Sequence, residues 1–470
     1  MKTPLLAVVL ALPLWLGGCA VARPPTVAEA PLPTSWQAPL PHGGAVADLS
    51  RWWQLLGDPL LAQLIDAAQS ASPTLASARA RIEQARATRT ATQAALLPTL
   101  DGTAAASRGN SQSPLPLATT VQAGLQTAWE IDLFGGNRAA AEAAEARLRA
   151  AEAGWHDARV LVAVETANSY VDLRTCRALL AVAENDARSR SETSRLSQLS
   201  ADAGFTAPAS AALARASAAD AAGRVRQQRA RCEVEIKTLA ALTARDESSL
   251  RQELAVARPT PALDSLLSVS SLPAEVLRQR PDLYQAELDV AAASADVGTA
   301  QASRYPRLSL SGSIAVGRVH IGGDGSGAQT WSIGPLALSV PLFDGGRRAA
   351  NAEAAQARYE ESVALYSART RQAVREVEQA LVMLESTQAR DQDARTAVEG
   401  YRASFTATQA RYDGGLASLV ELEDARRTLL AAETELVALQ RERAASWVAL
   451  YRAAGGGWRR DAIPLATSRP

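Results

Sequence analysis

From Gly346 to Asp413 the chain is free of proline and rich in Ala, Glu, Gln, Arg and Leu, and Val374, Val377, Leu381 and Leu384 step by three and four. Strong helix formers at that spacing predict an amphipathic helix. Its 68 residues span about 100 Å at the rise of an α-helix. Tyr412-Asp413-Gly414-Gly415 interrupts the run, and glycines there can end a helix and turn the chain back. Beyond the turn Leu422, Leu429 and Leu436 repeat every seven residues, with Ala432 and Leu439 as interleaved positions, the pattern of a coiled-coil seam. The pattern predicts two long antiparallel helices.

The same arrangement occurs earlier. Phe134-Gly135-Gly136-Asn137-Arg138 opens a helical run that turns at Gly204-Phe205, with no proline between Pro116 and Pro208. Pro73 to Pro281 and Pro98 to Pro306 are each 208 residues, Phe134 to Phe343 is 209, and Gly204 to Gly415 is 211. Offsets this constant mark an internal duplication, so the chain reads as one unit built twice.

Between the helical runs the period drops to two. Val121, Ala123, Leu125, Thr127, Trp129, Ile131 and Leu133 alternate with Gln122, Gly124, Gln126, Glu130 and Asp132. Such a strand is longer than the usual five or six residues and long enough for the roughly 9 to 11 of a membrane strand. Thr99–Arg108 is its weakly alternating partner, with a loop at Gly109–Thr119. In the second copy Leu308, Leu310, Ile314 and Val316 alternate with Arg307, Ser309, Ser311 and Ser313, a glycine-rich loop covers His320–Thr330, and Trp331–Phe343 is the fourth strand. Its parity slips at Gly334-Pro335, which predicts a bulge or bend. Trp129 and Trp331 are candidates for the lipid interface, where amphipathic aromatics collect. Four strands leave two unpaired edges, which lipid does not tolerate, so several chains must share one barrel.

The N-terminus adds an address. Lys2 precedes an apolar stretch from Leu5 to Leu16, too short to span a bilayer and suited to a signal peptide. Leu16-Gly17-Gly18-Cys19 resembles the bacterial lipobox, which implies acylation of Cys19, and Ala20 in the next position implies sorting to the outer membrane. Pro24, Pro25, Pro31, Pro33, Pro39 and Pro41 make the following stretch extended. Asp58-Pro59 and Ser72-Pro73 then carry helix-start signals, the second helix stopping at Leu97-Pro98. Lys plus Arg and Asp plus Glu are 49 each, so no basic field points to nucleic acid. His42, His156 and His320 are the three histidines, and no metalloprotease or phosphate-loop motif accompanies them. The Ser-rich stretch from Ser189 to Ser200 reads as solvated helix surface. Neither an enzyme nor a cofactor is expected, apart from the covalent lipid on Cys19.

Cys176 lies 28 residues before Gly204 and Cys232 lies 28 after it. Helices turning at Gly204 bring both to one height, which favours a disulfide in an oxidising compartment, a pair of buried thiols being the alternative.

Trp52-Trp53 with Asp58-Pro59-Leu60, Arg280-Pro281-Asp282 with Ala286-Glu287, Tyr305-Pro306-Arg307-Leu308-Ser309-Leu310 and Pro341-Leu342-Phe343-Asp344-Gly345-Gly346 together resemble the outer-membrane efflux protein family, the TolC-like channels, and within it the lipoprotein branch that serves RND multidrug pumps. The resemblance implies a mainly α fold with a membrane β-barrel: a homotrimer with a shared 12-stranded barrel and a 12-helix tunnel. It also implies docking to a periplasmic adaptor and an inner-membrane RND-type pump, so that the channel passes drugs or other small molecules outward. It places a periplasmic gate after the second tip turn, with Val420 as the aliphatic position, Glu421 and Asp424 as acidic ones and Tyr412 as a tip tyrosine; Ala417 stands where some members have a latching arginine. Six such carboxylates around one axis would raise one another's pKa and attract cations. The organisation expected is a signal peptide at 1–18, an acylated Pro-rich segment at 19–57, a first efflux repeat at 58–250 with strands at about 99–134, a linker at 251–273, a second repeat at 274–457 with strands at about 306–343, and a tail at 458–470. The competing reading is a lipid-anchored coiled-coil scaffold without a pore, which has no need of lipid-facing strands.

Overall fold

The computed structural model describes residues 21–30, 36–38, 53, 58–109, 117–256, 277, 280–321, 324–458 and 460. The signal segment, Cys19, His42, Trp52, most of the proline-rich segment, most of the 251–273 linker and most of the 458–470 tail lie outside the described residues. Helices α1 (Pro59–Ala71) and α2 (Pro73–Ala94) precede strands β1 (Thr99–Gly109) and β2 (Ala118–Ile131). Helices α3 (Gly136–Asp202), α4 (Pro208–Thr243) and α5 (Glu247–Ala255) complete the first half. The second half repeats the order with α6 (Pro281–Ala302), β3 (Arg307–Ile321), β4 (Asp324–Ser339), α7 (Arg347–Asp413) and α8 (Leu419–Ala453). Both α3 and α7 have 67 residues, so the long runs end where glycine and proline said they would.

The chain divides into two compact units. The first contains Arg79–Ala153 and Tyr284–Arg369, with the described residues up to Ala30. Its centre is one antiparallel sheet in the order β1-β2-β3-β4, so the duplicated halves meet at the β2–β3 pair. Directly opposed residues share a face. Register therefore groups Leu308, Ile131 and Leu338, then Leu310, Trp129 and Leu336, then Ile314, Leu125 and Trp331 on one side. The other side receives Asp101, Gln126, Ser313 and Ser332, and Glu130 with Ser309. Between Leu310 and Gly312 the pairing with β4 shifts, Leu336 and Ile333 being the flanking partners, so Gly334 and Pro335 together oppose Ser311. Gly334 has φ +107°, and this bulge returns Leu336 and Leu338 to the face of Trp331 and Ile333.

One expectation is corrected here. The His320–Thr330 stretch is not an open loop: His320 pairs with Gly325, Arg318 with Gly327 and Ala315 with Thr330. Glycines carry no side-chain period, but their backbone groups pair like any others.

At the strand-to-helix passages an aspartate caps each long helix. Asp132 accepts from the N–H groups of Asn137 (3.2 Å) and Arg138 (2.8 Å), and Asp344 from those of Gly346 (3.0 Å) and Arg348 (3.1 Å). Gly135, Gly345 and Gly346 take positive φ there, which only glycine adopts without strain. Salt bridges Arg89–Glu145 and Arg147–Asp296 and the stacked rings of Phe134 and Tyr305, 4.8 Å apart, fasten the surrounding helices.

The second unit contains Gly154–Leu283 and the chain from Thr370, with the described residues of Pro31–Ala78. Leu60, Leu64, Leu173, Leu239, Leu250, Val377, Leu381, Trp447 and Leu450 form its apolar core. Asp58 is buried at the start of α1, accepting from Leu60 N–H (3.1 Å), the Tyr170 hydroxyl (2.6 Å) and Arg174 (3.2 Å). Cys176 and Cys232 form a disulfide with their Cα atoms 5.5 Å apart. Helix α5 crosses the boundary expected at residue 250: Asp246 caps it by accepting from Ser249 N–H (3.0 Å), and Leu250 and Leu254 are buried. No helix among the described residues is long and apolar enough to cross a membrane.

Candidate functional site

Two places join the residues singled out from sequence. The first is the sheet face that carries Leu308, Leu310, Ile314, Leu125, Trp331, Ile333, Leu336 and Leu338. Ile333 is 84% exposed and Trp331 75% in the single chain, an apolar surface of the kind that a soluble monomer avoids. Trp129 stands in the row next to the helix-joined end of the sheet, its indole N–H donating to Leu96 C=O at 3.0 Å. Trp331 stands in the row of Leu125 and Ile314, in the middle of this face and not at its end. The opposite face is small and polar, with Ser313 and Ser332 hydroxyls 2.9 Å apart. A sheet with one apolar and one hydroxyl-lined side, and with β1 and β4 as open edges, can wrap a polar passage in lipid.

The second place is where the hairpins turn. At both turns the chain closes the same way: Phe205 N–H donates to Ser200 C=O (2.9 Å) and Leu416 N–H to Arg411 C=O (2.7 Å), with Gly204 and Gly415 at φ +77° and +72°. This is the Schellman ending, which needs a left-handed residue. Gly414 does not supply it; its N–H still bonds helically to Ala410 C=O at 3.1 Å.

Helix α8 then begins with a capping box. Ser418 N–H donates to Glu421 at 2.7 Å, and Glu421 N–H to the Ser418 hydroxyl at 3.2 Å. The backbone bond from Ser418 holds the Glu421 carboxyl below the usual range, an effect within the single chain opposite in sign to that of a ring of like charges. Asp424 pairs with Arg427 at 2.5 Å, Val420 is 68% exposed, and the Tyr412 hydroxyl meets that of Ser197 at 3.0 Å. Phe205, Leu199, Leu213 and Leu416 are also exposed around the turns.

Between the hairpins lies a buried polar cluster that the sequence reading missed. Arg190 donates to Asp186 (2.9 Å), to Ser217 (2.5 Å) and to Glu423. Arg426 pairs with Glu423, donates to Thr193 (2.9 Å) and Ser189 (3.1 Å), and lies 5.6 Å from the centre of the Phe405 ring. Burial pulls the Arg426 guanidinium below its usual pKa, with Glu423 acting against this. The stretch from Ser189 to Ser200 is thus solvated on one side alone: Glu192, Arg195, Leu196 and Leu199 are exposed, while Arg190, Thr193 and Ser197 are buried. Steps of four, three and four from Asp186 to Ser197 were the available signal, a helical stripe written in polar residues.

Comparison with known proteins agrees with this architecture. Residues 64–257 and 272–456 match the family described as outer membrane efflux protein. The solvent efflux pump outer membrane protein SrpC of Pseudomonas putida is 31% identical over 460 residues, covering 95% of this chain and 97% of the relative. The solved outer-membrane channel OprN is 31% identical with a TM-score of 0.82, over 94% of this chain and 99% of that one. VceC of Vibrio cholerae is 27% identical with a TM-score of 0.76, over 87% and 99%. The chain therefore belongs to the outer membrane efflux protein family, a family of transport channels, and is an outer-membrane exit channel.

Proposed function

We propose that three copies of this chain close one barrel and form the passive exit duct of a tripartite efflux system, handed drugs or other small molecules by a periplasmic adaptor and an inner-membrane RND-type pump. The observation that carries the reading is the four-stranded sheet with one apolar face and two open edges. Open edges in lipid leave backbone groups unpaired at several kcal/mol each. Pairing β4 of one copy with β1 of the next removes them, and three copies make twelve strands. Long hairpins from the same copies line the periplasmic tunnel, and the resemblance of Leu16-Gly17-Gly18-Cys19 to a lipobox supports an acyl anchor on Cys19. The exposed apolar residues Phe205, Leu199 and Leu416 suit contact with neighbouring copies and the adaptor. Val420, Glu421 and Asp424 follow the second turn, where converging hairpins narrow the passage, with Tyr412 bracing the turn.

The exposed apolar face of the sheet disfavours a scaffold without a pore, since a spacer gains nothing from it. Addition of purified protein to a planar bilayer tests the reading: stepwise ion conductance is expected, and protein that inserts without conducting overturns it. Intact mass of the membrane-derived protein tests the anchor. A mature chain starting at Cys19 with added acyl mass is expected, and an unlipidated mass removes that part.

A further inference from the structure

We propose that the rim of the sheet farthest from its helices binds the phosphate groups of a phosphorylated glycolipid, the lipid of the outer leaflet of a bacterial outer membrane. The proposal rests on reading the apolar face as lipid-facing. The four strands contain seven residues with ionisable acidic, arginine or histidine side chains: Asp101, Arg108, Glu130, Arg307, Arg318, His320 and Asp324. Register sorts them by sign. Asp101 is in the row of Gln126 and Ser313, Glu130 opposes Ser309, Arg307 opposes Ser339 and Asp324 opposes Ile321, all on the polar face. Arg108, Thr119 and His320 form one row of the apolar face, and Arg318 and Val121 belong to the row beneath it. Every acid of the strands therefore faces away from lipid, while the lipid side has only basic residues, gathered at one end.

Their height matches a headgroup. Ten residues separate Leu308 from Arg318, which at about 3.4 Å per residue and a tilt of about 40° is roughly 26 Å, against an apolar band of about 25 Å. Arg318 thus stands where hydrocarbon ends, and the Arg108–His320 row just beyond it. Across one intervening strand Arg108 and His320 are about 10 Å apart at the backbone, within reach of a common anion for side chains of this length.

Space is provided too. The β4 partners of Arg318 and His320 are Gly327 and Gly325, so no side chain crowds the basic groups from that strand. A Cβ at Gly325 would come within 2.8 Å of His320 Nε2, so the imidazole lies over bare backbone. Two guanidiniums and an imidazole beside a glycine gap match phosphate oxygens, which accept forked charge-assisted hydrogen bonds. A basic cluster at a membrane surface is a lipid-headgroup site in general terms.

The test is native mass spectrometry of the detergent-purified full chain titrated with bisphosphorylated lipid A, dephosphorylated lipid A and phosphatidylglycerol. The same preparation is checked for conductance in a planar bilayer. Retention of bisphosphorylated lipid A over the other two lipids is expected. Arg108→Gln with Arg318→Gln should weaken that retention about thirtyfold, and Arg307→Gln, on the polar face, should leave it unchanged. Equal retention of all three lipids, or undiminished retention by the double variant, overturns the site while a conducting preparation leaves the channel reading standing. A preparation that inserts without conducting overturns the channel reading and the proposal with it.

Discussion

Within the second unit two long helices bury stripes of the same geometry and opposite chemistry. On α7 the stripe is Ala373, Val377, Leu381 and Leu384; on α3 it is Asp186, Arg190, Thr193 and Ser197. Apolar contact is non-directional and scales with area removed from water, so the first stripe holds its neighbours firmly without selecting a single alignment. The second has few arrangements that satisfy Arg190, Glu423, Arg426 and their hydroxyl partners at once, and any slip leaves buried charge unmatched. One region supplies cohesion, and the other sets the register of the two hairpins near their turns.

The largest expected loss comes from neither stripe. Cys176→Ser with Cys232→Ser opens a loop of 56 residues and should cost about 4 kcal/mol by loop-closure entropy, seen as a lower denaturant midpoint than that of the oxidised parent. Single truncations then weigh the stripes against each other. Leu381→Ala should cost about 3 kcal/mol through a cavity, and Arg190→Ala about 2 kcal/mol, because Asp186 and Glu423 lose one buried partner while keeping Arg224 and Arg426. Leucine at Asp186, Arg190 and Glu423 with methionine at Arg426, so that no buried charge is left unpaired, should recover most of the second loss and raise resting conductance, because packing returns and register does not. A quadruple variant as unstable as Arg190→Ala would show that the cluster matters for cohesion after all.

Acid gives a narrower effect. Burial raises the Asp282 carboxyl, but hydrogen bonds and charge from buried Arg280 outweigh it and hold it below its ordinary 3.8. A carboxylate depressed in the native state stabilises above its unfolded value, and loses that contribution as pH falls through the native one. Stability should therefore drop more steeply below about pH 4 in the parent than in Asp282→Asn, measured by thermal midpoints across pH. Smaller still, Ser418→Ala should remove the capping box for about 1 kcal/mol. Val420→Ala with Asp424→Ala should leave stability near the parent, since both side chains are exposed, yet raise resting conductance and entry of large antibiotics. Glu421→Gln with Asp424→Asn should weaken cation preference in the same bilayers. Unchanged conductance and selectivity in these variants would move the gate elsewhere.

Most of the fold was legible because its signals are local. Glycine and proline bounded the long helices to within a residue or two, and the parity slip at Gly334-Pro335 located the bulge before any register was known. The glycine-rich end of β4 was hidden for a physical reason: period two is a property of side chains, and Gly325 and Gly327 have none. The polar cluster was hidden for another. Arg190 and Glu423 are 233 residues apart, and a polar stripe on one helix looks solvated until its partners are brought opposite. Glu421 was readable as an acid after a turn, but its capping role depends on the Ser418 conformation and showed only in structure. Trp331 kept its parity with the apolar face, while its height on that face depended on the pairing with β3.

Closure of the sheet's open edges by further copies of the same chain fixes how many copies one barrel holds. Native mass of the protein extracted from membranes in mild detergent tests it directly: a species of three copies is expected, bound to lipid or free of it. A stable monomer or dimer that still conducts in a bilayer would contradict the shared barrel.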